Sequence, residues 1–261
     1  MKLVRAYDKL INLGGFPFGE EPLIIAGPCS LENYERMAET AAFLERENVR
    51  FLRAAAYKPR TSPYSFQGLG AAGLEIIKKI KAEFNLQIVS ELVDLSVLDL
   101  FRERVDIIQI GARNMQNFAT LKAAGATGKP VLLKRGFGNT VEEWLYAAEY
   151  LLGAGAETVI LCERGIRTFE PLTRDTLDLG AIAYAKKITR LPVIADPSHA
   201  AGRSDLVLPL ALGAVAAGAD GLMLEVHPSP SESVSDDEQA IGFSEFRALV
   251  KKAREVWRAA R

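Results

Sequence analysis

Cysteine and histidine are rare in this 261-residue chain, two of each, so the places where they stand carry information. Cys29 closes a short apolar run, His199 follows Asp196-Pro197-Ser198, Glu225 ends a later apolar run, and Asp236 lies in the polar stretch beyond it. A thiolate, an imidazole and two carboxylates make a mixed set suited to one borderline divalent metal of the Mn, Fe, Co or Zn class. His227 shares a strand face with Glu225 and competes as a ligand. Spacing alone leaves a packing cysteine and a solvated aspartate open as alternatives.

A second chemistry is written in cations. Arg53, Lys58, Arg60, Arg113, Lys134, Arg135, Arg164, Arg167 and Arg203 each fall at or just past a short apolar run. The chain as a whole has 32 Lys and Arg against 33 Asp and Glu. That balance argues against a nucleic-acid partner held through a general basic surface, and makes the surplus local. Some of these cations are expected to pair with Glu91, Glu163, Glu170, Asp196 or Glu225. The remainder call for ligands with several negative charges, phosphates foremost, which guanidinium forks grip in bidentate fashion. Arg60-Thr61-Ser62 adds hydroxyls and backbone N–H groups, a second anion cradle.

These residues need elements to position them. β-rich runs occur at Leu23–Gly27, Val49–Ala55, Leu86–Leu92, Asp106–Gly111, Pro130–Lys134, Thr158–Glu163, Pro192–Asp196 and Gly221–Val226. Helical periodicity lies between them at Glu32–Glu47, Leu74–Phe84, Val141–Leu152, Asp175–Ile188 and Leu206–Ala217, with a last helix at Phe243–Ala260. Eight strands, each followed by a helix, predict a single (β/α)8 TIM barrel, with reactive groups at the carboxyl ends of the strands. A doubly wound sheet would want a Gly-rich turn after its first strand, where this chain reads Gly27-Pro28-Cys29-Ser30. In a closed barrel strands seven, eight and one are consecutive staves, so Cys29, His199, Glu225 and Asp236 can converge. Alternation puts Arg53 on the face of Phe51, Lys134 on that of Leu132 and Arg164 on that of Cys162. The expected division is a short extension over 1–21, a candidate hairpin plugging the barrel floor, and a catalytic barrel over 22–261.

Several motifs then resemble one family. Gly27-Pro28-Cys29-Ser30, the run from Lys58-Pro59-Arg60-Thr61-Ser62 to Gln67-Gly68, Gln109-Ile110-Gly111-Ala112-Arg113-Asn114 and Asp196-Pro197-Ser198-His199 are similar to those of 3-deoxy-D-arabino-heptulosonate 7-phosphate (DAHP) synthases. Leu133-Lys134-Arg135-Gly136 and Cys162-Glu163-Arg164-Gly165 extend the likeness from about residue 22 to the end. The resemblance implies condensation of phosphoenolpyruvate with erythrose 4-phosphate, the entry step of the shikimate pathway. It implies Cys29, His199, Glu225 and Asp236 as ligands of one divalent metal and makes His227 a neighbour. Arg113 and Arg164, with backbone at Ala112, would hold the phosphate of phosphoenolpyruvate. Arg53, Lys58 and Lys134 would surround its carboxylate and reacting carbons, and Lys134 would exchange a proton. Arg60 and Thr61 would take the sugar phosphate. Glu91 would orient a water, and Asp196 would stand close to the metal.

The nearest rival is the sister enzyme 3-deoxy-manno-octulosonate 8-phosphate synthase, which takes arabinose 5-phosphate and typically reads Lys-Ala-Asn-Arg-Ser-Ser where this chain has Lys58-Pro59-Arg60-Thr61-Ser62. Pro59 and Arg60 favour the shorter sugar. A phosphate-sensing barrel without catalysis would need the cations and not the ligand set. With two cysteines, no signal-peptide pattern and no apolar stretch near the ~20 residues of a membrane span, the expected setting is cytoplasmic. The expected form is a homodimer or homotetramer without feedback control by aromatic amino acids. Cys162 is expected to be a small core residue.

Overall fold

A computed structural model describes residues 1–261. The order of elements is β1 (Leu23–Gly27), α1 (Tyr34–Arg46), β2 (Phe51–Arg53), α2 (Ala71–Glu83), β3 (Gln87–Glu91), α3 (Leu98–Arg104), β4 (Ile107–Ile110), α4 (Phe118–Gly125) and β5 (Val131–Lys134). There follow α5 (Val141–Gly153), β6 (Val159–Glu163), α6 (Leu179–Ile188), β7 (Val193–Ala195), α7 (Pro197–Ala201), α8 (Val207–Ala216), β8 (Gly221–Glu225) and α9 (Phe243–Ala259). The strands pair in parallel, in chain order, and β8 returns to β1 with Leu23 opposite Gly221 and Gly27 opposite Glu225. The expected (β/α)8 barrel is closed.

Both faces of the strands are covered, so both are apolar, and the two faces build two cores. Inside the barrel lie Leu23, Ile25, Phe51, Val89, Ile107, Leu132, Ile160, Cys162, Ile194 and Met223. Between barrel and helices lies a larger core that includes Trp144, Leu52, Ile88, Ile108, Leu133 and Phe246. Each fully buried Leu, Ile or Phe contributes roughly 1.5–3 kcal/mol. Trp144 is buried whole because its indole N–H donates to the carbonyl of Leu133 at 3.1 Å. Cys162 belongs to the inner core, and burial pushes its thiol up beyond the ordinary range.

Helix starts follow from capping chemistry. Thr140 and Glu143 form a capping box at α5, Asn33 accepts from the N–H of Arg36 at α1, and Asp178 accepts from that of Ala181 at α6. Asp178 therefore starts α6 later than the periodicity from Asp175 suggests, and frees Asp175 for the barrel mouth.

The segment 1–21 is not a hairpin. It is a turn-rich strap with one isolated bridge, Phe18 to Glu21; Pro17 has no N–H to offer a second strand. Leu13 and Phe16 close the floor from below, with Phe16 edge-on to Phe51 at 5.3 Å. Glu149 accepts from the N–H groups of Leu3 and Val4, and Thr189 donates to the carbonyl of Val4 at 2.7 Å. No helix is long and apolar enough to cross a membrane.

Candidate active site

Alternation along the strands carries the inner core up into a layer of polar side chains at the carboxyl ends. Above Phe51 stands Arg53, above Val89 Glu91, above Ile107 Gln109, above Leu132 Lys134, above Cys162 Arg164, above Ile194 Asp196 and above Met223 Glu225. Arg53, Gln109, Lys134, Arg164, Asp196 and Glu225 are all buried. Burying so many charges costs stability unless they are paired or await a ligand.

The pairing is partial. Lys134 Nζ lies 2.6 Å from Asp196 Oδ2. Arg164 donates to Asp175 and, at 3.1 Å, to the carbonyl of His199. Arg53 Nη1 faces Glu225 at 3.6 Å, beyond hydrogen-bond reach, and neither its Nε nor its Nη1 has a partner. A buried guanidinium with unused donors is a waiting anion site. Glu91 accepts from Gln109 at 3.1 Å. It fits only because residue 111 is glycine: a Cβ there would lie 2.0 Å from Glu91 Oε1.

His199 is the third residue of α7, and its placement is local chemistry. Asp196 caps that helix by accepting from the backbone N–H of His199 at 3.0 Å, and Pro197 occupies the first turn where no N–H is needed. The same carboxylate takes the ring Nδ1 at 2.9 Å. The Nδ1 proton is thereby fixed, leaving the Nε2 lone pair to face Arg53 Nη2 at 3.4 Å and Cys29 Sγ at 3.5 Å. Burial holds His199 well below the usual histidine range despite Asp196. Burial alone would raise Asp196, but His199, Lys134 and Arg53 outweigh it and keep the carboxylate ionised.

The ligating atoms of Cys29, His199 and Asp236 lie within 4.8 Å of one another. Asp236 Oδ2 accepts from the thiol at 3.0 Å, from Lys58 at 3.1 Å and from Arg60 at 3.2 Å. Lys58 also touches the sulfur. Lys58 overcomes the effect of burial and holds Asp236 well below the carboxylate range. Glu225 stands at the margin of this trio, its Oε2 3.7 Å from His199 Nε2 and 2.5 Å from Gln239 Nε2, with Oε1 buried and unpartnered. A soft sulfur, an imidazole nitrogen with its lone pair turned to that sulfur and to Arg53, a carboxylate and an orphaned buried carboxylate oxygen fit a borderline divalent ion. His227 does not join them: its Nδ1 accepts from the N–H of Ser229 at 3.1 Å, and Nε2 faces Glu32 at 3.4 Å.

Two joined cavities open on this layer. The inner one, about 60 Å³, is lined by Arg53, Glu91, Gly111, Ala112 and Lys134. The outer one, about 450 Å³, is lined by Arg60 to Ser62, Arg167, Arg174 and Asp236. Lys58, Pro59, Arg113, Phe137, Arg164 and His199 line both. Arg113 bridges toward the outer cradle through Thr61 Oγ1 at 3.2 Å.

Two expected cations are elsewhere. Arg135 follows inward-facing Lys134 and so points outward, bonding Glu163 and Asp178 at 2.9 Å each. Arg203 is exposed and spent on Asp205 at 2.7 Å. Arg174 lines the mouth instead, 3.5 Å from Asp236, a position no strand end signals. Gln109, Asp175 and Gln239, which hold Glu91, Arg164 and Glu225, were missed as well. Inward alternation could have found Gln109; nothing local marks the other two.

The model of the DAHP synthetase I family matches residues 15–259. The chain is 50% identical to a phospho-2-dehydro-3-deoxyheptonate aldolase of Thermotoga maritima, over 95% of this chain and 74% of that protein. A 2-dehydro-3-deoxyphosphooctonate aldolase of Desulfosudis oleivorans is 30% identical over 92% of this chain and 91% of its own. Among solved structures, the Thermotoga maritima DAHP synthase superposes with a TM-score of 0.92 at 49% identity, covering 97% of this chain and 74% of the other. Its truncated form superposes at 0.89 with 47% identity, covering 97% and 93%.

Proposed function

The chain belongs to the DAHP synthetase I family, and on that premise we propose that its barrel mouth condenses phosphoenolpyruvate with erythrose 4-phosphate and water, giving DAHP and phosphate. The observation that carries this reading is the pair of joined, cation-lined cavities with His199 lining both and the Cys29 sulfur and Asp236 carboxylate clustered with it. The inner cavity suits a small dianionic enol phosphate and the outer a longer sugar phosphate.

In this reading Arg113 and Arg164, with backbone at Ala112, grip the phosphate of phosphoenolpyruvate. Arg53, whose Nε and Nη1 donors are unused, takes its carboxylate together with Lys58 and Lys134. Arg60 and Thr61 hold the phosphate of the sugar. Fixed cations bring together two anions that otherwise repel, and orientation of this kind is worth several kcal/mol. Cys29, His199, Glu225 and Asp236 would hold one divalent ion, which when bound supplies a Lewis acid for charge developing on the aldehyde oxygen.

The methylene carbon of phosphoenolpyruvate bonds to the aldehyde carbon, and a water oxygen adds to the carbon bearing phosphate. Glu91, facing the inner cavity, orients that water. Lys134, ion-paired with Asp196, passes a proton to the aldehyde oxygen as the new bond forms and recovers one from the water that adds. The hemiketal phosphate then breaks its C–O bond and releases phosphate.

Phosphate release with each sugar offered separately tests the reading. Erythrose 4-phosphate should exceed arabinose 5-phosphate by at least about a hundredfold in kcat/KM, a difference of ~3 kcal/mol. Arg60→Ala should raise the sugar KM far more than that of phosphoenolpyruvate. Equal use of both sugars would overturn the choice of substrate, and equal effects on both KM values would overturn the separate cradles.

A further inference from the structure

One side chain in the mouth belongs to neither the cations nor the donors. Phe137 follows β5 in Lys134-Arg135-Gly136-Phe137 and lines both cavities. The guanidinium carbons of Arg164, Arg167 and Arg113 lie 4.7, 5.0 and 5.5 Å from its ring centroid. All three distances fall within the range over which an aromatic quadrupole attracts a cation. Arg164 is also held by Asp175. Arg113 and Arg167 are exposed, and neither has a carboxylate partner: Arg113 has Thr61, and Arg167 has only Phe137. Arg167 meets that residue twice, through the ring and through its backbone N–H, which donates to the Phe137 carbonyl at 2.8 Å. Three like charges gathered beside an open cavity repel one another and would spread into solvent unless something gathers them.

We propose that Phe137 is a positioning residue, an aromatic post that gathers Arg113, Arg164 and Arg167 around one phosphate group at the boundary between the inner and outer cavities. The inference rests on reading this mouth as an anion site and deepens that reading, since it adds Arg167 to the arginines facing the phosphate. Phe137 touches no reacting atom; it acts through the guanidiniums, so its effect falls on binding of the anion rather than on the chemical step.

The test compares Phe137→Leu, which keeps apolar bulk and removes the quadrupole, with Phe137→Tyr, which keeps the ring. Inorganic phosphate is the probe, titrated by calorimetry, so this arm does not depend on turnover and stands apart from the synthase assay. Phe137→Leu should weaken phosphate binding and raise the KM for phosphoenolpyruvate by about tenfold each, with kcat within about twofold. Phe137→Tyr should recover most of the loss. The losses from Phe137→Leu and Arg167→Ala should be less than multiplicative in the double variant, because the ring acts through that arginine. Unchanged binding in Phe137→Leu, equal impairment in the Leu and Tyr variants, or fully multiplicative losses would each overturn the proposal.

Discussion

Cys29 shows how one side chain is tuned by its neighbours. Burial pushes its thiol up to about 11 and Glu225 adds to the rise, while Lys58 and Arg53 pull it back. Near neutral pH the sulfur therefore carries a proton, and holding a metal requires the thiolate, so uptake of an ion must expel that proton. His199, held low by burial, is already neutral there and releases none. The sign follows: apparent affinity for Zn²⁺ should rise about tenfold per unit between roughly pH 6 and 8. Competition against a chromophoric chelator measures it. Cys29→Ala should lose that slope and most of the affinity while remaining folded. An affinity that is flat with pH in the unaltered protein would rule out the sulfur as a ligand that ionises on binding.

At the scale of elements, the connections past the strand ends decide what a side chain can reach. Gly111, just past β4, has ordinary dihedrals, φ −68° and ψ 158°, so alanine is conformationally allowed. Only space forbids it, because the added carbon would overlap the Glu91 carboxylate. Gly111→Ala should therefore displace Glu91 with little effect on the barrel: kcat down by at least about tenfold, within the usual range for a misplaced acid–base group, and a melting temperature within a few degrees of the original. Full activity in that variant would remove Glu91 from the reaction. α7 makes the same point differently. Asp196, read as the last residue of a strand, is a helix N-cap, and the cap that begins α7 is also the group that orients the histidine ring.

The whole molecule is near neutral, with a formal net charge of −1, and still concentrates cations on one end of its barrel, where helix N-termini add their own positive field. Unpartnered donors on Arg53 and crowded arginines around Phe137 cost stability until an anion arrives. Ligand binding should then report as stability. Phosphoenolpyruvate at a hundred times its Kd contributes ~2.7 kcal/mol, which for a chain of this size raises the melting temperature by roughly 5–10 °C. Scanning fluorimetry with increasing phosphoenolpyruvate checks this. A melting temperature indifferent to the ligand would mean that the mouth does not bind it.

What the sequence determined by itself is what short-range periodicity and a specific motif can encode. The eight strands and the fold they close into follow from short β-rich runs with helical periodicity set between, and the inward faces of Arg53, Lys134 and Arg164 from alternation with period two. Only the tertiary structure decided which cations face the cavity and which are spent on carboxylates, as Arg135 is on Glu163 and Asp178. Only it placed Arg174 in the mouth, set Glu225 at the edge of the trio formed by Cys29, His199 and Asp236, and made the first residues a strap rather than a hairpin. The physical reason is range. A strand's alternation is dictated by its own dihedrals, whereas a loop residue's neighbours are chosen by ring closure, which brings Cys29 against Asp236 across most of the chain.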